Sequence, residues 1–357
     1  MAKPKVMIGM SGGVDSSVAA LRLMEAGYEC IGVTMKLYSG SEEGTCCSLS
    51  DVEDAKSVCA RLGIPHYTLN FTREFERDVM GPFAASYEAG LTPNPCIDCN
   101  RHLKFQAMWQ RARELGCDFV ATGHYARIAA AGDALRLKKA ADPEKDQTYV
   151  LYFLSQEQLR HTLFPLGELT KAQVREIAAA HGFVNAQKQD SQDICFVPDG
   201  DYGAFLERFT GKRYESGDFI DRDGKILGRH RGAVRYTLGQ RKGLGVSAET
   251  RLYVTAKDMK KNTVTLGSNG ELFSSELMAD HLTLQGEIPA EGLALRGKIR
   301  YRQTEQPCRV FRTGEDLLRV KFDSPQRAVT PGQALVLYDG DTVFGGGTIR
   351  ESEKPAR

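Results

Sequence analysis

Val6-Met7-Ile8-Gly9-Met10-Ser11-Gly12-Gly13-Val14-Asp15-Ser16-Ser17 is the stretch on which the fold turns. Val6–Met10 reads as a short buried strand. The helical spacing of Val14, Val18 and Leu21 puts apolar side chains on one face of a helix running to about Ala26. Between strand and helix lies a turn of glycine and serine. Glycine lets a backbone approach a phosphate closely and adopt dihedrals that other residues avoid. A helix start adds oriented N–H groups and partial positive charge, and Ser11, Ser16 and Ser17 add hydroxyl donors. Two other phosphate loops do not fit: no Lys follows Gly13 as Walker A requires, and G-x-G-x-x-G spacing is absent. The turn is expected to hold a nucleotide phosphate by another arrangement.

Outward from this unit, strand and helix signals alternate as far as residue 200. Cys30–Leu37, His66–Phe71 and Phe119–Gly123 read as further strands. Ser50-Asp51-Val52-Glu53 fits a capping box opening a helix that ends near Leu62-Gly63. A helix is expected around Phe105–Leu115, and Thr170 caps another that stops at Gly182. Strands separated by helices predict an α/β fold, a parallel sheet covered on both faces. Beyond residue 200 come short alternating runs: Lys225–Leu227, Leu252–Ala256, Thr263–Leu266, Leu295–Tyr301, Cys308–Arg312 and Leu317–Phe322. Asp-Gly, Asn-Gly and Pro-Gly turns separate them, which predicts a small central domain and then a β-barrel. The expected division is 1–200, 201–275 and 276–357.

The 357 residues are 41% hydrophobic and 26% charged, with 36 Gly and 13 Pro and no low-complexity tract. Collagen-like and wholly disordered classes are excluded. No apolar run reaches the roughly 18 residues of a membrane span, and the glycine-broken N-terminus is not a secretory segment. A cytoplasmic protein without membrane contact is expected. The net charge of +1 hides an asymmetry: residues 1–200 carry 21 Lys+Arg against 25 Asp+Glu, residues 201–357 carry 26 against 21. Ten basic residues between Lys225 and Lys261 face only Glu249 and Asp258. That is either a solvated face or a phosphate-backbone contact surface.

Nine cysteines without disulfide-scaffold spacing point, in a reducing compartment, to catalysis or metal at special positions. Cys30, Cys59, Cys117 and Cys308 sit in apolar or strand-like contexts and are expected to be small buried hydrophobes. Two sites differ. Thr92-Pro93-Asn94-Pro95-Cys96-Ile97-Asp98-Cys99-Asn100-Arg101 reads as a polar, proline-stiffened loop before a helix, with Arg101, His102 and Lys104 to lower the thiol pKa of Cys99. The other is Asp190-Ser191-Gln192-Asp193-Ile194-Cys195-Phe196-Val197, whose cysteine precedes an apolar pair and on local sequence alone reads as a buried structural residue.

SGGVDSS at Ser11–Ser17 resembles the PP-loop of the ATP pyrophosphatase superfamily, which splits ATP between the α and β phosphates. Together with TPNP-x-x-x-CN, ATGHYAR at Ala121–Arg127, KDQTYVL at Lys145–Leu151, SQDICF and GQRKGLG at Gly239–Gly245, in that order, the chain resembles the tRNA-specific 2-thiouridylases along nearly its whole length. The resemblance implies ATP-dependent 2-thiolation of a tRNA wobble uridine, with Mg²⁺, tRNA and a persulfide relay protein as cofactor and partners. It places ATP on Gly9, Met10, Ser11, Gly12, Gly13, Val14, Asp15 and Ser16, joined by Met35 and Gly123, with Asp15 serving phosphate and Mg²⁺. It makes Cys195 the persulfide carrier and Cys99 the partner that resolves it, leaving a Cys99–Cys195 disulfide. Asn94, Pro95 and Cys96 match the segment touching the flipped base. His124, Lys145, Asp146, Gln147, Arg300, Tyr301 and Gln333 match tRNA contacts; His124 could equally satisfy a strand-end hydrogen bond and Lys145 could be solvated.

Cys96 departs from the pattern, because many members carry Asp there. Cys96-x-x-Cys99 with Cys195 offers three thiolates, the number that holds a 4Fe–4S cluster with one open iron; the pair could also bind zinc with Cys46-Cys47. Two other functions stand beside thiolation. A PP-loop synthetase acting on a small molecule would need neither a cysteine pair nor basic β domains. A non-catalytic RNA-binding module would not need Asp15 and its glycines.

Overall fold

The computed structural model describes residues 2–38, 49–188 and 194–353. The chain forms two compact units, the first from residues 1–80, 95–200 and 341–343, the second from 81–94, 201–340 and 344–357. In the first unit the strands are β1 (Lys5–Gly9), β2 (Glu29–Lys36), β3 (His66–Asn70), β4 (Phe119–Ala121), a hairpin of β5 (Arg127–Ala131) and β6 (Ala134–Lys138), and β7 (Thr162–Leu163). Five of them form a parallel sheet in the order β3-β2-β1-β4-β7. Val6, Met7 and Ile8 are wholly buried, as expected of a parallel strand covered on both faces.

The sheet order fixes the site. From β1 the chain crosses to β2 on one side and later to β4 on the other, so the carboxyl ends of these strands splay apart into a crevice. The turn after β1 opens into that crevice and leads to α1 (Val14–Glu25). Val14, Val18, Ala19 and Leu21 of α1 join the core of this unit with Val174 and Ala178 of the helix Lys171–Ala180. Full burial of a Val or Leu side chain is worth about 1.5–3 kcal/mol, so this shared face fixes where both helices begin.

Thr170 caps the helix Lys171–Ala180 through a reciprocal pairing with Gln173, and Gly182 follows in a left-handed conformation, both as expected. Two expectations need correction, and one hairpin was not anticipated. Ser50 is not an N-cap, since α2 (Leu49–Leu62) already includes Leu49. The β5–β6 hairpin lies where the alanine-rich sequence signals no strand. Pro95–Asp98 is helical and runs on through Cys99–Ala107 and Met108–Glu114, so the helix expected near Phe105 starts about ten residues earlier. Proline fits a first helical turn, where its missing N–H is no loss. Residues Cys99–Ala107 have the wider π-helical winding, which in many proteins marks a functional position.

In the second unit, β8 (Gly217–Ile220), β9 (Ile226–His230), β10 (Tyr253–Asp258) and β11 (Thr263–Gly267) form a four-stranded sheet in the order β10-β11-β8-β9. Phe219, Val254, Val264 and Leu266 form its core. Then come β12 (Phe273–Leu284), β13 (Leu293–Lys298), β14 (Gln306–Gly314), β15 (Leu317–Arg327), β16 (Ala334–Asp339) and β17 (Thr342–Glu353). β12 pairs with both β15 and β17, closing these strands into a barrel filled by Leu277, Leu295, Val310, Leu318, Val320 and Leu335. No helix among the described residues is long and apolar enough to cross a membrane.

Candidate active site

The turn between β1 and α1 is tied down atom by atom. Met10 N donates to Val33 O at 2.8 Å, and Met10 O accepts from Thr34 Oγ1 at 2.8 Å. Ser16 Oγ accepts from Ser11 N at 3.2 Å and donates to Gly13 O at 3.0 Å, where Ser17 Oγ also donates at 3.1 Å. Asn185, 2% exposed, donates through Nδ2 to Gly12 O and Ser17 Oγ, both at 2.9 Å. Gly12 has φ +71°, and a Cβ there would lie 2.4 Å from Asp51 O. A Cβ on Gly123, in the turn after β4, would lie 2.8 Å from Ser16 N. Met35 is buried at the carboxyl end of β2. The expected nucleotide residues thus gather at one place, and two close backbone approaches there exclude any side chain.

Asp15 is in the first turn of α1. Its two oxygens each accept from Lys171 Nζ at 2.8 Å, and Oδ1 also accepts from Tyr125 OH at 2.8 Å. A carboxylate in the same turn as several serine hydroxyls offers hard oxygens of the kind that suit Mg²⁺, and the glycine approaches suit phosphate. Beside the loop, Lys188 Nζ reaches Asp51 Oδ1 at 2.8 Å and Asp54 Oδ2 at 2.6 Å.

The cysteines separate into two populations. Cys30, Cys59, Cys117 and Cys308 are buried as expected. Burial pushes the Cys30 thiol up to about 11 and those of Cys59 and Cys308 up to about 12, and raises Cys117 as well. They stay protonated and inert near neutrality. Cys96 is exposed, and Cys99 and Cys195 are half-exposed. Cys195 is therefore not a buried structural residue; the apolar pair after it, Phe196 and Val197, is what is buried. The Phe196 ring meets Phe75 edge-on with centroids 5.5 Å apart. The turn Thr72–Phe75 also packs against the helical stretch Cys99–Ala107, so both thiol-bearing segments border one turn.

Beside Cys99, Arg101 sets its guanidinium over the Phe153 ring at 5.0 Å and bonds Tyr152, while burial raises the Asp98 carboxyl above its usual range. Among the described residues no three His, Cys, Asp or Glu side chains converge to hold a metal ion. Cys46 and Cys47, the possible zinc partners, lie outside the described residues, as do residues 190–193 before Ile194-Cys195.

The remaining sequence candidates are dispersed. His124 is 7% exposed, its Nδ1 2.7 Å from Thr122 Oγ1 and its ring near Phe105 and Phe164. Burial, and secondarily Lys104, hold it neutral, a placement that matches the strand-end hydrogen bond. Asp146 accepts from Ala140 N and Thr148 Oγ1, Gln147 accepts from Tyr125 N, and Lys145 beside them is half-buried. In the second unit, Gln333 donates to Thr92 O at 2.9 Å, holding the segment that leads to Asn94. Arg300 donates to Ala328 O and Tyr301 is 38% exposed. Of the ten basic residues in Lys225–Lys261, Arg229, Arg235 and Lys261 are in ion pairs, and Lys257 buries its ammonium. Lys225, Arg231, Arg241, Lys242, Arg251 and Lys260 are exposed.

Three family models match in succession. Residues 4–199 match the tRNA methyl transferase HUP domain, 203–268 the tRNA methyl transferase PRC-barrel domain and 274–349 the aminomethyltransferase β-barrel domain. The tRNA-specific 2-thiouridylase MnmA of Clostridioides difficile strain 630 is 49% identical over 98% of this chain and 98% of its own length. That of Acetivibrio thermocellus is 50% identical over 98% of this chain and 100% of its own. The chain belongs to the tRNA-specific 2-thiouridylase family. Among solved structures, the U34-tRNA thiolase NcsA of Methanococcus maripaludis with its 4Fe–4S cluster is similar over 58% of this chain and 68% of that one, at 18% identity and a TM-score of 0.35.

For a 2-thiouridylase, the sequence reading missed four residues of the phosphate site: Lys171, Tyr125, Asn185 and Lys188. Tyr125 was within reach, since it stands inside the quoted ATGHYAR run. Lys171 directly follows the Thr170 cap, where a basic residue opposes the helix dipole; that anomaly was its one local signal. Asn185 and Lys188 carry no signal, because only folding brings them to Gly12 and Asp51.

Proposed function

We propose that this protein carries out ATP-dependent 2-thiolation of the wobble uridine of tRNA in the cytoplasm, through a catalytic part at 1–200 and tRNA-binding parts at 201–275 and 276–357. The observation that carries this reading is a complete phosphate loop around Asp15 in a chain whose Cys99 and Cys195 stay accessible while its core cysteines are buried.

ATP and tRNA are the substrates. The uridine C2 oxygen attacks the α-phosphorus, the bond to the bridging oxygen breaks, and pyrophosphate leaves with the electron pair. Gly9–Ser16 with Met35 and Gly123 hold the nucleotide. Mg²⁺ supplies charge neutralisation on the phosphates, with Asp15 as its carboxylate. The base must leave the anticodon stack to react, and Asn94-Pro95-Cys96 receives it. A relay protein delivers sulfur to Cys195 as a persulfide. Its terminal sulfur attacks C2 and AMP departs with its bonding pair. The Cys99 thiolate then attacks the Cys195 sulfur, the S–S pair passes to the sulfur on C2, and a Cys99–Cys195 disulfide remains for a dithiol reductant. Lys145, Asp146, Gln147, Arg300, Tyr301 and Gln333 act from the tRNA-binding surface, several of them by holding backbone.

Nucleoside mass spectrometry tests this on unmodified tRNA incubated aerobically with iron-free protein, Mg²⁺-ATP and a persulfide donor. Formation of 2-thiouridine supports the two-thiol route. Formation only after anaerobic iron–sulfur reconstitution transfers Cys96, Cys99 and Cys195 to a cluster, and no product under either condition refutes thiolation. Cys195→Ser is expected to abolish product yet leave ATP-dependent pyrophosphate release intact. Arg241→Glu with Lys242→Glu should weaken tRNA binding about tenfold and reduce the salt slope by about two, measured by filter binding across salt.

A further inference from the structure

Lys171 stands where a helix has least use for a cation. It is the first residue after the Thr170 cap, at the positive end of the dipole, where a cation is unfavourable. Its side chain is 12% exposed, and its ammonium donates to both oxygens of Asp15 at 2.8 Å. Asp15 is itself in the first turn of α1, so this contact joins two helix starts. Tyr125 OH already satisfies one Asp15 oxygen, and the paired hydroxyls of Ser11 and Ser16 belong to the same turn. Both oxygens of the carboxylate that suits Mg²⁺ are therefore engaged by an internal cation.

We propose that Lys171 is an exchange cation. While the nucleotide is absent, it holds Asp15 and keeps divalent metal out. When Mg²⁺-ATP arrives, Asp15 passes to the metal and the ammonium moves to oxygens of the β and γ phosphates. There it neutralises the charge that pyrophosphate gains as the α-phosphorus–oxygen bond breaks. This rests on the adenylation reading above and adds an order to it: metal enters with the nucleotide and not before. A flexible stem and a compact charge suit lysine to such a handover, and removing one partner of a largely buried pair leaves the other charge uncompensated.

The test uses the full-length chain and Mn²⁺ as probe, with free Mn²⁺ read by its electron paramagnetic resonance in the absence of nucleotide. Lys171→Met is expected to bind one Mn²⁺ at least about tenfold more tightly than the wild type, because the competing cation is gone. Lys171→Arg keeps the exclusion. Equal Mn²⁺ affinity in wild type and a folded Lys171→Met overturns the proposal. Should Lys171→Met not fold, Asp15→Asn supplies the second arm. It releases the ammonium and should bind ATP in EDTA more tightly than wild type, and no gain there also overturns the proposal. With Mg²⁺-ATP and tRNA, Lys171→Met should release pyrophosphate about 100-fold more slowly. If wild-type protein releases none, adenylation itself is wrong, while the Mn²⁺ result still decides whether Lys171 guards Asp15.

Discussion

The phosphate loop and the thiol-bearing helix start from similar raw material, a glycine- or proline-marked turn running into a helix, and end with opposite designs. At Gly9–Ser17 the backbone makes the site: carbonyls, amides and hydroxyls are paired to one another, and side chains are excluded at Gly12 and Gly123. At Pro95–Ala107 side chains make it: Cys96 and Cys99 stand on the outer side of a helical stretch anchored by buried Ile97, Leu103 and Phe105. A group that must only hold charge is best frozen, since pre-placed dipoles need no reorganisation. A thiol that is to react must instead remain reachable.

That contrast can be broken most sharply at Gly12. Gly12→Ala puts a Cβ 2.4 Å from Asp51 O at φ +71°, and pyrophosphate release should fall about 100-fold, as for misplacement by an ångström elsewhere. Rates within a factor of two of wild type would show that the loop is not frozen. Cys99→Ala should leave pyrophosphate release unchanged and stop 2-thiouridine from accumulating, whereas Cys59→Ala should keep both and cost about 1 kcal/mol of stability in urea melts. Loss of pyrophosphate release in Cys99→Ala would mean that the two regions are not separable.

The smallest effect is expected at Asp98. Burial, opposed by Arg101 and His102, raises its carboxyl pKa. The folded form thus holds the proton more tightly than the unfolded chain. Its contribution is fully present below the unfolded pKa and is lost as pH rises through the folded one. Asp98→Asn should then raise the melting temperature more at pH 8 than at pH 4; equal shifts at both would place the carboxylate in water.

How far these features could be read from the sequence follows from how local their causes are. The phosphate loop was legible because strand, glycine turn and helix are contiguous and each residue acts within a few positions of itself. The Thr170 cap was legible for the same reason. The start of the thiol helix was not, because Pro93-Asn94-Pro95 signals a turn and only the packing of Ile97 and Leu103 shows that the helix begins at once. The β5–β6 hairpin escaped because Ala129–Ala131 has no β signal of its own. Its partner is distant in sequence, Thr342 pairing with Lys138. The basic stretch was half legible: composition counted its charges, but it could not tell Arg235, held by Asp201 and Glu207, from Arg241 in solvent.

The barrel closes when β17 pairs with β12, about 70 residues upstream. Before that pairing forms, β12 and β16 each present an open rim of backbone donors and acceptors, and Leu277, Leu335 and Ile349 have no complete interior to enter. During synthesis, the phosphate-binding sheet gains its central strands early, with β1, β2 and β4 all complete by residue 121. The barrel must wait until residue 353 or so has been made. The chain therefore carries a folded nucleotide domain beside an unfinished, adhesive ring for much of its translation. A ribosome stalled between those points would present chaperones with the ring and not with the catalytic sheet.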